Sequence, residues 1–179
     1  IYAIIALGYT MVYGIAKMLN FAHGDVIMVG AFVILTAVTK ASMSPILAII
    51  LSVVICTVAG VVIEAVAYRP LRKASSNLAV LITAIGVSYL LQNLANYITG
   101  GIARAYPDIP FLTQVMSVGG LSVKRITIVT PLLTIALVVV LVILIQKTKV
   151  GMAMRAVSRD FETSQLMGIK INSVISMTF

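Results

Sequence analysis

From Pro45 to Tyr68 the chain reads PILAIILSVVICTVAGVVIEAVAY, with a single charge, Glu64, near its far end. A bilayer core about 30 Å thick is crossed by roughly 20 apolar residues in helical form, so this stretch is a full-length transmembrane span. It stops at Arg69-Pro-Leu-Arg-Lys73, where a proline and clustered cations end a helix.

Two more stretches of the same kind lie downstream. Leu78 to Thr99 carries no charge, and Ile126 to Gln146 is interrupted only by Pro131, expected in the first turns, where a missing amide is tolerated. Between them, Gly100 to Arg125 is polar and holds Pro107, Pro110, Gly119 and Gly120, which reads as a loop outside the hydrocarbon. Upstream, Ile1 to Ala16 and Val26 to Thr39 are uncharged but short for full crossings. The pattern predicts an all-α, polytopic helical bundle with five crossings and the start of a sixth near Val174 to Phe179. Residues 1–179 then form one membrane domain, and the apolar residues at both ends suggest truncation at each.

The basic residues fix an orientation. The gaps after spans one, three and five hold Lys17, Arg69, Arg72, Lys73, Lys147, Lys149, Arg155, Arg159 and Lys170, whereas the other gaps hold Lys40, Arg104, Lys124 and Arg125. Cations concentrate on the cytoplasmic side, so the first set is expected there. The same placement in short gaps speaks against nucleic acid as the reason for a net charge of +8. With 61% hydrophobic and 10% charged residues, a soluble globular domain is excluded.

Catalytic signatures are missing from the sequence. It holds no metal-ligand spacing, no Gly-rich phosphate loop and no nucleophile set, and His23 stands without a second histidine or a cysteine cluster. No catalytic residue, metal or cofactor is expected in this chain. Cys56, the lone cysteine, lies in an apolar span and reads as a small core residue.

Polar residues inside the apolar pattern mark where function could reside. Asn20-Phe-Ala-His-Gly-Asp25 separates the two short runs, and irregular backbone at membrane depth persists only when buried in protein or lining a wet cavity. On one reading this is a discontinuous element in which Gly24 turns the chain, Asp25 caps the run from Val26 and the helix start faces a carboxylate. On the other, these residues cap two helices at a cytoplasmic interface. On the fourth span, Ser88, Gln92, Asn93 and Asn96 recur at helical spacing, which suits either interhelical hydrogen bonding or a substrate path. Glu64 reads as a structural ion-pair partner of Arg69. Asn20, His23, Gln92 and Asn96 are the translocation-path candidates.

The segment 147–172 carries mixed charge, with Met154, Val157, Phe161 and Leu166 at helical spacing and Gly168 placed to end the helix. A short amphipathic helix across the cytoplasmic face is what a membrane subunit needs to receive motion from a motor.

Within it, Glu162-Thr-Ser-Gln-Leu-Met-Gly168 resembles the Glu-Ala-Ala, three residues, Gly signature of ABC-importer permeases, with Thr163 and Ser164 in place of the alanines. Gly8-Tyr-Thr-Met-Val-Tyr-Gly14, Asn20 to Asp25, Tyr68-Arg-Pro-Leu-Arg72 and Leu91-Gln-Asn93 resemble the LivH-type branched-chain amino-acid permeases in the same order. The resemblance covers essentially the whole chain. It implies a heteromeric importer in the plasma or inner membrane, with a second permease, two ATP-binding subunits that bind the ATP, and an external solute-binding protein. It also implies that Arg155, Arg159, Glu162 and Gly168 couple the chain to the ATPase. Permeases for urea or short amides share a similar Asn20-to-Gly24 element, and Phe21 leans toward the amino-acid branch. A secondary transporter or channel, and more remotely a membrane-integral enzyme, are the rival classes, but only Glu64 offers an ionisable group of the kind ion coupling needs.

Overall fold

The computed structural model describes residues 2–73, 77–102, 104–106, 113–118 and 121–179. Its elements are α1 (Tyr2–Ala16), α2 (His23–Thr39), α3 (Pro45–Ile63), a π-turn (Glu64–Tyr68), a 3-10 turn (Pro70–Lys73), α4 (Asn77–Thr99), β1 (Val115–Val118), β2 (Leu121–Lys124), α5 (Arg125–Lys147), α6 (Lys149–Arg159), α7 (Phe161–Leu166) and α8 (Ile171–Thr178).

Three segments are long and apolar enough to cross a membrane: Pro45–Tyr68, Leu78–Thr99 and Arg125–Lys147. These match the three full-length spans expected from the sequence. The first begins with Ser44 as N-cap, its hydroxyl accepting from the Leu47 amide, and with Pro45 where no helical amide is needed. Pro131 lies in the second turn of α5, among its first turns as expected, but past the positions whose amides are free, so it gives up one intrahelical bond there.

α2 and α3 form the closest pair. Ser52 Oγ donates to the Gly30 carbonyl at 3.0 Å and Cys56 Sγ to the Val26 carbonyl at 3.4 Å, so α3 seats directly on the backbone of α2. A Cβ on Gly30 would lie 2.8 Å from Cys56 Sγ, so a side chain there would force the helices apart. At the end where Lys17, Lys147 and Lys149 gather, Ile15 of α1 packs with Met154 and Val157 of α6 and Val174 of α8. Val12 and Ala16 pack with Ile175 beside them. By contrast, α5 buries none of its described side chains against the rest of the chain. An apolar face of that kind needs lipid or another protein against it.

Two stretches differ in secondary structure from the sequence reading. The stretch expected to be a plain loop contains an antiparallel hairpin in which Val115 pairs with Lys124 and Val118 with Leu121, so two short strands join an otherwise helical molecule. The single amphipathic helix expected over 151–168 is two helices broken at Asp160. The broken form is stable because the Asp160 carboxylate accepts from the amides of Glu162 and Thr163 at 2.9 and 3.2 Å, starting a new helix instead of continuing the old one.

Candidate functional site

The residues Asn20 to Asp25 sit deep in the bundle, and three neighbouring helices measure how deep. His23 lies against Gly8 and Tyr9: a Cβ on Gly8 would meet its ring at 2.9 Å, and the Tyr9 and His23 rings are edge-on at 6.4 Å. Gly8 is eight residues from the end of α1, which at 1.5 Å per residue puts His23 about 12 Å above that end. Along α3, Val26 is level with Cys56, which is twelve residues, or about 18 Å, from Tyr68. Along α4, Asp25 is level with Ser88 and Gln92, about 16 to 23 Å from the helix start at Asn77. All three place the first turn of α2 near the middle of a 30 Å hydrocarbon slab. The chain therefore descends through α1, turns at Lys17 and climbs back to mid-depth before α2 begins. This geometry favours the discontinuous element over capping at an interface.

Each polar group of the element is taken up by a different helix. Asn20 is buried, its side-chain oxygen accepting from the hydroxyl of fully buried Tyr68 at 3.0 Å and its carbonyl accepting from the His23 amide at 3.2 Å. Asp25 does not cap α2, contrary to expectation: the N-cap position is Ala22, with no side-chain bond. Its carboxylate turns sideways instead, accepting from Ser88 Oγ and from Gln92 Nε2, the latter at 3.0 Å. Both donors are neutral, so α4 holds the buried Asp25 side chain through hydrogen bonds from uncharged partners. Pulling Asp25 aside leaves the start of α2 without a side-chain cap.

The sequence candidates divide accordingly. Asn20, His23 and Gln92 belong to this one cluster, while Asn96, one turn further along α4, is exposed and outside it. Asp25, Ser88 and Tyr68 belong to the cluster but were not among the path candidates. The spacing of Ser88 and Gln92 on one stripe was the signal available for them. A groove of about 450 Å³ runs beside the element, with Tyr9, Asn20, Phe21 and His23 on its walls. Among the described residues no group of three or more His, Cys, Asp or Glu could hold a metal ion.

The second cluster lies at the basic end, on the elbow formed by α6 and α7. Gly151, Met154 and Val157 of α6 face inward, and Arg155 and Arg159 face out. A Cβ on Gly151 would overlap the carbonyl oxygens of Leu144 and Ile145, so only glycine lets α6 turn so sharply away from α5. Its amide is capped by Thr148 Oγ1 at 3.0 Å. On α7, Glu162 is exposed and Leu166 is 88% exposed, and Met167, at the C-cap, is 78% exposed. Gly168 closes the helix with φ +82: its amide reaches the Gln165 carbonyl at 3.0 Å and that of Ile169 the Ser164 carbonyl at 3.1 Å, the Schellman arrangement that favours glycine. Gly168 thus ends the helix as expected. The Asp160 carboxyl is held below the usual carboxylate range by the Thr163 hydroxyl and amide, with the Glu162 amide adding to the effect.

A helical membrane bundle interrupted at mid-depth, with an exposed amphipathic elbow at its basic end, has the form of a transport subunit. The chain belongs to the family described as the permease component of branched-chain amino acid transport systems, whose profile matches residues 1–179. Among its relatives are the high-affinity branched-chain amino acid transport permease BraD of Pseudomonas aeruginosa, 36% identical, and LivH of Escherichia coli strain K12, 35% identical. Each alignment covers 99% of this chain and 61% of the relative, so the chain spans about three-fifths of their length. A probable LivH of Methanocaldococcus jannaschii is 28% identical over 94% of the chain and 54% of its own length. No solved structure matches.

Proposed function

We propose that this chain is one permease subunit of an ATP-driven importer that carries branched-chain or similar small amino acids across the plasma or inner membrane. The observation that carries the proposal is the elbow: α6, anchored on α1 and α8, is followed by α7, from which Glu162, Leu166 and the adjoining Met167 project outward at the basic end. A motor subunit needs such a projection, because exposed apolar side chains fill a cleft on the partner and Arg155, Arg159 and Glu162 fix its register. The basic end is cytoplasmic, α1 and α2 complete a five-crossing topology, and α8 opens a sixth.

In this mechanism ATP binding closes two partner ATPase subunits, the elbow follows, and the bundle exchanges inward-facing and outward-facing forms to accept solute from an external binding protein. A second permease covers the bare faces of α4 and α5. ATP is bound by the partners, and this chain performs no covalent chemistry. Asn20, His23 and Gln92 line or support the passage at mid-membrane, with Asn96 further along it. The names of the relatives support the amino-acid branch over urea or short amides.

The test is uptake of labelled leucine and of urea into vesicles holding the full-length subunit with its partners, with and without ATP. ATP-dependent leucine uptake that disappears with Glu162→Arg or Gly168→Leu is the expected result. Urea uptake alone moves the chain to the amide branch, and uptake independent of ATP contradicts the importer reading.

A further inference from the structure

Between the elbow and the mid-membrane element lies a chain of polar contacts that passes through the π-turn. α8 follows the elbow directly, and its Ser176 Oγ donates to Glu64 Oε2 at 2.6 Å. Arg69 Nη2 donates both to the same Glu64 oxygen at 3.0 Å and to Ser176 Oγ at 2.8 Å, closing a three-membered ring of contacts. Glu64 is fully buried. The sequence reading of Glu64 and Arg69 as an ion pair is therefore right, but the pair has a third member from the far end of the chain.

The π-turn is what makes this ring possible. In an α-helix, residues five apart point about 140° away from each other, so Glu64 and Arg69 would face different neighbours. Here the Arg69 amide bonds the Glu64 carbonyl at 2.7 Å, an i to i+5 closure that stacks the two side chains. The same turn ends on Tyr68, whose hydroxyl holds Asn20, whose carbonyl in turn holds the His23 amide at the start of α2. One turn thus grips the elbow's continuation with its first residue and the discontinuous element with its last.

We infer that the π-turn Glu64–Tyr68 is the joint that transmits elbow motion to the mid-membrane element, with Glu64, Ser176 and Tyr68 as positioning residues for transport. This deepens the importer reading and rests on it. A π-turn holds an extra residue within a helix, and its return to α geometry re-aims every side chain beyond it. Pulling Ser176 away from Glu64 removes one of the contacts that hold the turn in its wide form and the one that links it to the elbow. Tyr68 then leaves Asn20, and the start of α2 is released. Transmission of this kind needs a two-state element biased from both sides, and the turn is placed to be one.

The experiment uses the complete transporter in vesicles and reads two rates together, ATP hydrolysed and leucine taken up. For Glu64→Gln and Tyr68→Phe, hydrolysis is expected to stay within about twofold of wild type while leucine carried per ATP falls about tenfold, the size of one lost hydrogen bond to a charged or buried partner. Ser176→Ala is expected to uncouple similarly, and Ser176→Thr, which keeps the hydroxyl, to restore the ratio. Tyr68→Phe removes one oxygen and leaves the ring packed, so it remains informative if Glu64→Gln reduces assembly. If the variants assemble and carry leucine at the wild-type ratio, or if both rates fall together with the amount of assembled complex, the joint is merely structural and the inference is wrong. If the wild-type complex takes up no leucine on ATP, the importer reading falls first and the joint with it.

Discussion

Two of the polar breaks in this chain, the element from Asn20 to Asp25 and the elbow, use their polar groups in opposite ways. In the element from Asn20 to Asp25 the side chains turn inward: Asn20 to Tyr68, His23 to Tyr9, Asp25 to Ser88 and Gln92. On the elbow the apolar face of α6 is anchored, and Leu166, Met167, Glu162, Arg155 and Arg159 are offered outward. The first is a hub that ties α1, α4 and the π-turn together. The second is a handle, built to be held by something else. The difference teaches that a polar break in a membrane sequence is read by where its partners lie, since composition alone does not separate a hub from a handle.

Mutations should divide along this line. The largest loss of stability is expected where the handle is rooted: Gly151→Leu drives a side chain into the carbonyls of Leu144 and Ile145 and should cost about 3 kcal/mol, visible as a lower Tm in detergent. A Tm unchanged by this substitution would show that α6 can leave α5 freely. Next in size, Asp25→Ala leaves Ser88 and Gln92 without their acceptor and should cost about 1 to 2 kcal/mol, moderated because membrane-buried donors find other partners. Leu166→Ala on the handle should move stability by less than about 0.5 kcal/mol, while binding of an ATPase partner measured by co-purification weakens. If Leu166→Ala destabilises as much as Asp25→Ala, the elbow is part of the core and the contrast fails.

The smallest effect is a pH dependence confined to the handle. Asp160 has its folded-state pKa lowered by the Thr163 hydroxyl and amide, so its carboxylate supports α7 fully above the ordinary Asp value of about 4. That support is lost as pH falls through the lowered value. Amide-exchange protection of Glu162 and Thr163, corrected for intrinsic rate, should fall in that acid range, and Asp160→Asn should flatten the dependence. An equal fall in the variant would mean that another group controls the start of α7.

Much of this was legible in the residues. The uninterrupted runs at 45–68, 78–99 and 126–146 gave the long helices, and Gly168 gave the end of the elbow, because each depends on local chemistry. The irregular element was legible as an interruption, yet its depth was not. Lys17 and the polar run after it look alike at an interface and in a chain that climbs back into the bilayer, and only contacts with Gly8, Cys56 and Ser88 decide between them. The sequence points to Asp25 as a cap, since capping is what an aspartate near a helix start usually does, but its partners are 63 and 67 residues away in sequence. The π-turn was hidden for a similar reason, because the partners of its first and last residues, Ser176 and Asn20, lie in distant parts of the chain. The pairing of Val115–Val118 with Leu121–Lys124 was more accessible, with valines on both sides of a Gly-Gly pair in the sequence, a hairpin signal that the polarity of the surrounding stretch obscured.

The depth of the element is the claim on which the rest depends, and it can be measured directly. A nitroxide on Gly24→Cys, in a Cys56→Ser background, has open space around it, so the label should not disturb packing. Its depth in lipid vesicles can be compared with labels on Tyr89→Cys, midway along α4, and Lys147→Cys, at the basic end. The account predicts that the Gly24 label matches the Tyr89 label and lies about 10 to 15 Å deeper than the Lys147 label, as the helical rise requires. A Gly24 label at the depth of the Lys147 label would place the element at the membrane surface and contradict the account.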